Sequence, residues 1–236
     1  MAVPVESGRM TYTLITANRN YSSWSLRPWL LMHGLGLAFV DRQEPFAKPV
    51  NYEAFHRFSP TGQVPVLLDG DRTIHDSLAI TLYLADRHAG VWPEDEAARA
   101  WAQCAVAEMH SGFAALRDAC PMNVGVRVRP QPMSEAVSRN VSRLCELWQE
   151  GLSRFGGPWL AGGAFGAVDA FFAPVAFRAR TYALDLGAGQ AWADHIIAHP
   201  AMQQWEAEAL AESWREAAHE EELRASGDVI ADYRTG

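Results

Sequence analysis

The segment Ser59-Pro60-Thr61-Gly62-Gln63-Val64-Pro65-Val66-Leu67-Leu68-Asp69-Gly70, running on to Thr73-Ile74-His75-Asp76-Ser77, constrains the fold more than any other stretch of this 236-residue chain. Pro65 stands at the mouth of an apolar run, where it cannot donate to a ladder and so marks a strand start or edge. A cis bond ahead of it leaves the Val64 N–H and C=O free to take an extended peptide as an added strand. Asp69-Gly70 is a hairpin signal joining Val66–Leu68 to Thr73–His75. Asp76-Ser77 then caps a helix whose Leu78, Ile80, Leu82 and Leu84 suit burial against the sheet. The start of that helix can hold a carboxylate through the Ser77 hydroxyl and backbone amides.

Upstream lies a second strand-to-helix turn. Tyr12-Thr13-Leu14-Ile15-Thr16 is β-branched and aromatic and reads as a strand. Leu26, Trp29, Leu30 and His33-Gly34 give a short amphipathic helix stopped by glycine. Between them, Asn18 to Arg27 packs Tyr21, Ser22, Ser23 and Ser25 into the turn. A serine held where the helix dipole points outward can stabilise an anion such as a thiolate, or can simply cap the helix. Arg27 lies one turn into the helix, where it can meet a substrate carboxylate or, as is more usual, a structural ion pair.

The order strand, Ser-rich helix start, loop, Val-Pro strand, hairpin and Asp-Ser helix start resembles the glutathione-binding half of the glutathione transferases. Ser22-Ser23-Trp24-Ser25-Leu26-Arg27 and Ile74-His75-Asp76-Ser77-Leu78-Ala79-Ile80 are most similar to the zeta class, the maleylacetoacetate isomerases. The resemblance implies a thioredoxin-like α/β unit over residues 10–89 and an all-α substrate unit over 94–225. It implies Ser22 as the hydroxyl that stabilises the glutathione thiolate, with Ser23 the runner-up and Ser25 a cap. Lys48, Gln63, Val64, Pro65, Asp76 and Ser77 become the glutathione-binding set, and Trp24, His110, Phe113 and Met122 the second-substrate pocket. Trp24 departs from the zeta pattern, which has cysteine there. With no thiol in the turn, disulfide exchange is not expected. The implied function is transfer of glutathione, as cosubstrate, to a small apolar electrophile. The alternatives are a glutathione-dependent cis–trans isomerase or a non-catalytic relative, and the implied assembly is a homodimer.

Composition narrows the classes further. A net charge of −8 with pI near 5.5 argues against a nucleic-acid surface. No apolar run approaches the roughly 20 residues of a membrane span. Met1 to Met10 carries Glu6 and Arg9 without a hydrophobic core, so no secretory signal is expected. Cys104, Cys120 and Cys145 read as buried free thiols of a reducing cytoplasm. His88, His195, His199 and His219 show no ligand spacing, and no metal is assigned.

Near Gly90-Val91-Trp92-Pro93 the texture becomes helical. Glu94 to Cys120 is Ala-rich with a helical stripe. Ser134 opens a helix with Val137, Val141, Leu144, Trp148 and Leu152 on one face. Pro121 to Gly125 and Pro130-Gln131-Pro132 read as a loop. Gly166-Ala167-Val168-Asp169 starts a helix through Phe177, where Asp169 takes a structural role, holding the turn through backbone N–H groups alone. Pro200 opens a last helix, and Ser226 to Gly236 is a docked or frayed tail.

Overall fold

The computed structural model describes residues 12–46 and 51–235. Expectations for Met1 to Met10 and for Lys48 lie outside the described residues. Strand β1 (Tyr12–Thr16) is followed by α1 (Ser23–Gly34), β2 (Phe39–Gln43), α2 (Asn51–Phe55), β3 (Val66–Asp69), β4 (Arg72–His75) and α3 (Ser77–Ala85). The sheet runs β2-β1-β3-β4, with β1 and β2 parallel and the other pairs antiparallel. This is a thioredoxin-like arrangement followed by a helical region, as expected.

Helix α1 is not amphipathic. Ser23 and the whole run Ser25–Met32 are buried, because α1 is covered by α3 on one side and by helices of the second half on others. Helix α3 departs from expectation in the other direction. Ile80 and Leu84 are buried, but Leu82 points outward and is 48% exposed.

The helical region contains α4 (Glu96–Ser111), α5 (Ala114–Ala119), α6 (Glu135–Phe155), α7 (Ala167–Tyr182), α8 (Gln190–Ile197), α9 (Pro200–Ala211) and α10 (Ala217–Ser226). Glu94 to Cys120 is therefore two helices, not one. Gly112 is extended and Phe113 is left-handed at φ +59°, which breaks the ladder between them. Nor is α9 the last helix. The supposed loop holds a strand, β5 (Val126–Pro130), which pairs antiparallel with β6 (Gly227–Asp232) from the tail. The backbone crossing is tight at Gly227, φ +155°, where a Cβ would sit 2.1 Å from the Arg129 carbonyl oxygen.

Helix α7 is the centre of the region, buried along almost its whole length and packed against α1, α4 and α8. Gly166 caps it, and the Asp169 carboxylate accepts from Gly166 N (3.1 Å), Leu160 N (2.9 Å) and the Trp192 indole (3.0 Å). The indole is the addition to what the sequence reading foresaw. Burial pushes the Asp169 carboxyl up to about 6 despite these donors. The cysteines also differ from expectation: Cys120 is buried, with its thiol pushed up to about 11 by burial, whereas Cys145 is half-buried and Cys104 exposed. Among the described residues no helix is long and apolar enough to cross a membrane.

Candidate active site at two helix starts

The turn between β1 and α1 is fixed from a distance. Glu212, just past α9, accepts from the backbone N–H of Arg19 (2.6 Å) and Asn20 (3.2 Å) and from the Gln43 amide (2.5 Å). The Arg19 guanidinium reaches Glu208 at 2.8 Å and pairs with Asp41, and Trp205 donates its indole N–H to the Arg19 carbonyl. So the turn leading into α1 is held largely by residues nearly two hundred positions away. Nothing local in the sequence marks Glu212 for this task.

Ser22 is the N-cap of α1: its Oγ accepts from Ser25 N at 3.4 Å and donates to Ser25 Oγ at 2.8 Å. The capping role expected of Ser25 thus belongs to Ser22, and Ser25 instead accepts from Ala17 N at 3.2 Å. Ser23 opens the helix, and its Oγ accepts from Arg178 Nη2 at 3.3 Å. Arg178 is buried in α7 and also donates to the Cys120 carbonyl; burial lowers its pKa to about 10. An arginine in the middle of an apolar, fully buried helix is the one signal that could have marked it.

At the second helix start, Asp76 caps α3 by accepting from Leu78 N at 2.7 Å, with its own backbone at φ +75°. This left-handed region is costly for most residues, and Asp is among those that tolerate it. The Ser77 side chain is buried, and its Oγ has no hydrogen-bond partner among the described residues. Pro65 follows a cis peptide, and Val64 lies just outside the ladder in which Val66 pairs with His75.

These two helix starts face one cleft of about 510 Å³, within the range of small-ligand sites. Its walls include Ser22, Ser23 and Trp24 from the first turn, Gln63, Val64 and Pro65 from the strand entry, and Asp76 and Ser77 from the second turn. The other three sequence candidates lie elsewhere. His110, at the end of α4, meets Trp24 edge-on at 5.4 Å and sits 3.5 Å from the Asp76 carboxylate, touching two residues that line the cleft. Phe113 and Met122 are buried in the helical core, because the break at Gly112 and the strand β5 turn their segment inward.

The cleft also has walls that the sequence reading missed. His219 of α10 is stacked between Tyr21 (4.8 Å) and Phe46 (5.0 Å), and its Nδ1 lies 2.8 Å from Glu216 Oε2. Burial works against the Glu216 carboxylate, but its bonds to His219 hold it below the usual range. The Tyr21 hydroxyl donates to Glu220 at 2.7 Å, and burial with that bond raises its pKa. The phenol is thus engaged with α10.

Among the described residues Arg27 has no ion pair, contrary to expectation. It is 1% exposed, and Nε, Nη1 and Nη2 all lack hydrogen-bond partners among the described residues. Its guanidinium lies 4.0 Å from the Trp24 ring centroid and 5.0 Å from that of Phe171. Burial, with Arg117 and Arg178 nearby, lowers its pKa.

Comparison with known proteins agrees with this geometry. Residues 21–87 match the sequence family described as "Glutathione S-transferase, N-terminal domain". A 32-residue stretch is 56% identical to a dichloromethane dehalogenase of Methylophilus leisingeri, a match spanning only 14% of this chain and 12% of that one. Among solved structures, a theta class glutathione S-transferase from Xanthomonas axonopodis pv. citri with glutathione bound is similar at TM-score 0.60 and 26% identity. That likeness covers 82% of this chain and 96% of that one. A glutathione transferase homolog from Burkholderia gl BGR1, with bound glutathione, gives TM-score 0.63 and 21% identity over 84% and 98% of the two chains. The Ure2p complex with S-hexylglutathione gives 0.63 and 18% over 83% and 98%. The chain thus has the glutathione S-transferase fold, with residues 21–87 matching that superfamily's N-terminal domain.

Proposed function

We propose that this protein is a serine-type glutathione transferase, with residues 10–89 as its glutathione-binding unit and 94–225 as its substrate unit. One observation carries the reading. Hydroxyls at the start of α1, a buried hydroxyl at the start of α3 that has no partner among the described residues, and Val64 line the same cleft. Glutathione has a matching part for each: a thiol, an extended peptide and a γ-glutamyl carboxylate.

In this reading Ser77 Oγ and the amino end of α3 take the carboxylate, and the Val64 backbone takes the cysteinyl part. The Ser22–Ser23 turn stabilises the thiolate. A free thiol near pKa 8.5 is a few per cent ionised at pH 7, and lowering it by about two units makes it mostly thiolate. That is roughly 2.7 kcal/mol of preference for the anion, which one hydroxyl donor and a helix start together can supply. The thiolate then attacks the electrophilic carbon of a small acceptor.

Binding to immobilised glutathione, followed by turnover on a panel of electrophiles that includes maleylacetone, tests this. Retention with conjugation supports it; retention with isomerisation only moves the protein to the zeta chemistry. No retention, or retention without any turnover, contradicts it. We also propose a homodimer that covers the outward Leu82 of α3. Light scattering at micromolar concentration should give twice the 26.1 kDa of one chain, and a mass of one chain defeats the proposal.

A further inference from the structure

Three guanidinium groups gather behind the thiolate end of the cleft without a carboxylate among them. Arg27 lies against the inner side of Trp24, and Arg117 of α5 is 5.4 Å from the same ring. Arg178 touches Ser23. None of the three forms an ion pair among the described residues. The acids whose charge reaches them are Asp76, already capping α3 and facing His110, and the exposed Asp118.

Such an arrangement is expensive. Arg178 donates to the Cys120 carbonyl and Arg117 to the Gly112 carbonyl, but Arg27 is a buried cation without a partner among the described residues, which is strongly disfavoured, and stacking on two rings returns only part of what is lost. A methionine at position 27 would pack among Trp24 and Phe171 without that cost. The charge therefore points to a use. Trp24 and Ser23 are walls of the cleft, so the cations stand directly behind two surfaces that a ligand beside the thiolate must touch. A thiolate is served by a hydroxyl and a helix start. Two of these cations are instead grouped on Trp24.

We infer that the acceptor substrate carries a carboxylate, drawn to the Trp24 wall by Arg27 and Arg117 with Arg178 beside them. This rests on the transferase reading above and replaces its apolar acceptor with an acidic one.

The test compares 4-chloro-3-nitrobenzoate with its methyl ester in the full chain. In both, the glutathione sulfur forms a bond to the chlorine-bearing ring carbon, and chloride leaves with the C–Cl electron pair. Each kcat/KM is divided by the uncatalysed rate under the same conditions. The acid should be preferred by about tenfold or more, and Arg27→Met should bring that ratio close to one without lowering the melting temperature. Should Arg27→Met not fold, Arg117→Met, half-buried and more tolerant, reads the same ratio. Equal rates for acid and ester, or a preference that Arg27→Met leaves intact, overturn the inference.

Calorimetric titration with 4-nitrobenzoate, its methyl ester and glutathione separates the two claims. Arg27-dependent binding of the nitrobenzoate without binding of glutathione keeps the anion site and sinks the transferase reading. Binding of glutathione with no preference for nitrobenzoate over its ester does the reverse.

Discussion

The starts of α1 and α3 face one cleft but are built in opposite ways. At α1 every hydroxyl is engaged: Ser22 with Ser25, Ser23 with Arg178, and the turn itself with Glu212. At α3 the Ser77 hydroxyl is buried and has no partner among the described residues, and it follows a residue held at φ +75°. The first end is pre-organised, which suits stabilising an anion that forms during reaction. The second has an unmet donor, which suits capturing a group that arrives already charged. One end governs chemistry and the other affinity.

That division is broken most directly at the first end. Ser22→Ala should cut turnover by about 100-fold, in the range seen for loss of a transition-state donor, with little change in glutathione affinity. Steady-state kinetics beside a glutathione titration check this. Ser23→Ala sharpens it: greater damage there than at Ser22 would move the thiolate donor to the residue that Arg178 contacts. Ser77→Ala should act on the other quantity, weakening glutathione roughly tenfold while kcat stays near wild type. A fall in kcat alone would contradict the division.

Smaller effects follow at Asp76. Asp76→Ala removes the acceptor of Leu78 N and places a β-carbon residue without a polar side chain at positive φ. It should cost about 1–2 kcal/mol by chemical denaturation. Asp76→Asn keeps a cap and tolerates the same backbone, so its stability should stay within about 0.5 kcal/mol of wild type.

What could be read from the sequence was what is local. The hairpin at Asp69-Gly70, the cap at Asp76, the cis peptide before Pro65 and the serine turn each carry their signal within a few residues. The missed parts are set by partners far along the chain. Strand β2, mostly exposed at a sheet edge, lacks an apolar pattern, and β5 is defined only by pairing with β6 a hundred residues later. Glu212, Arg178 and His219 reach the site from the end of α9, from α7 and from α10, so no spacing near Ser22 announces them. Phe113 reads in the sequence as part of one continuous helix and Met122 as part of a loop, and neither pattern shows the break at Gly112 or the burial of both side chains in the core.

The ionisation of bound glutathione tests the central claim most directly. Thiolate ultraviolet absorbance, followed against pH for the complex and for free glutathione, gives the thiol pKa in each. The bound thiol should titrate about two units lower than the free one, with Ser22→Ala or Ser23→Ala returning much of the shift. A bound thiol that titrates like the free one would contradict it.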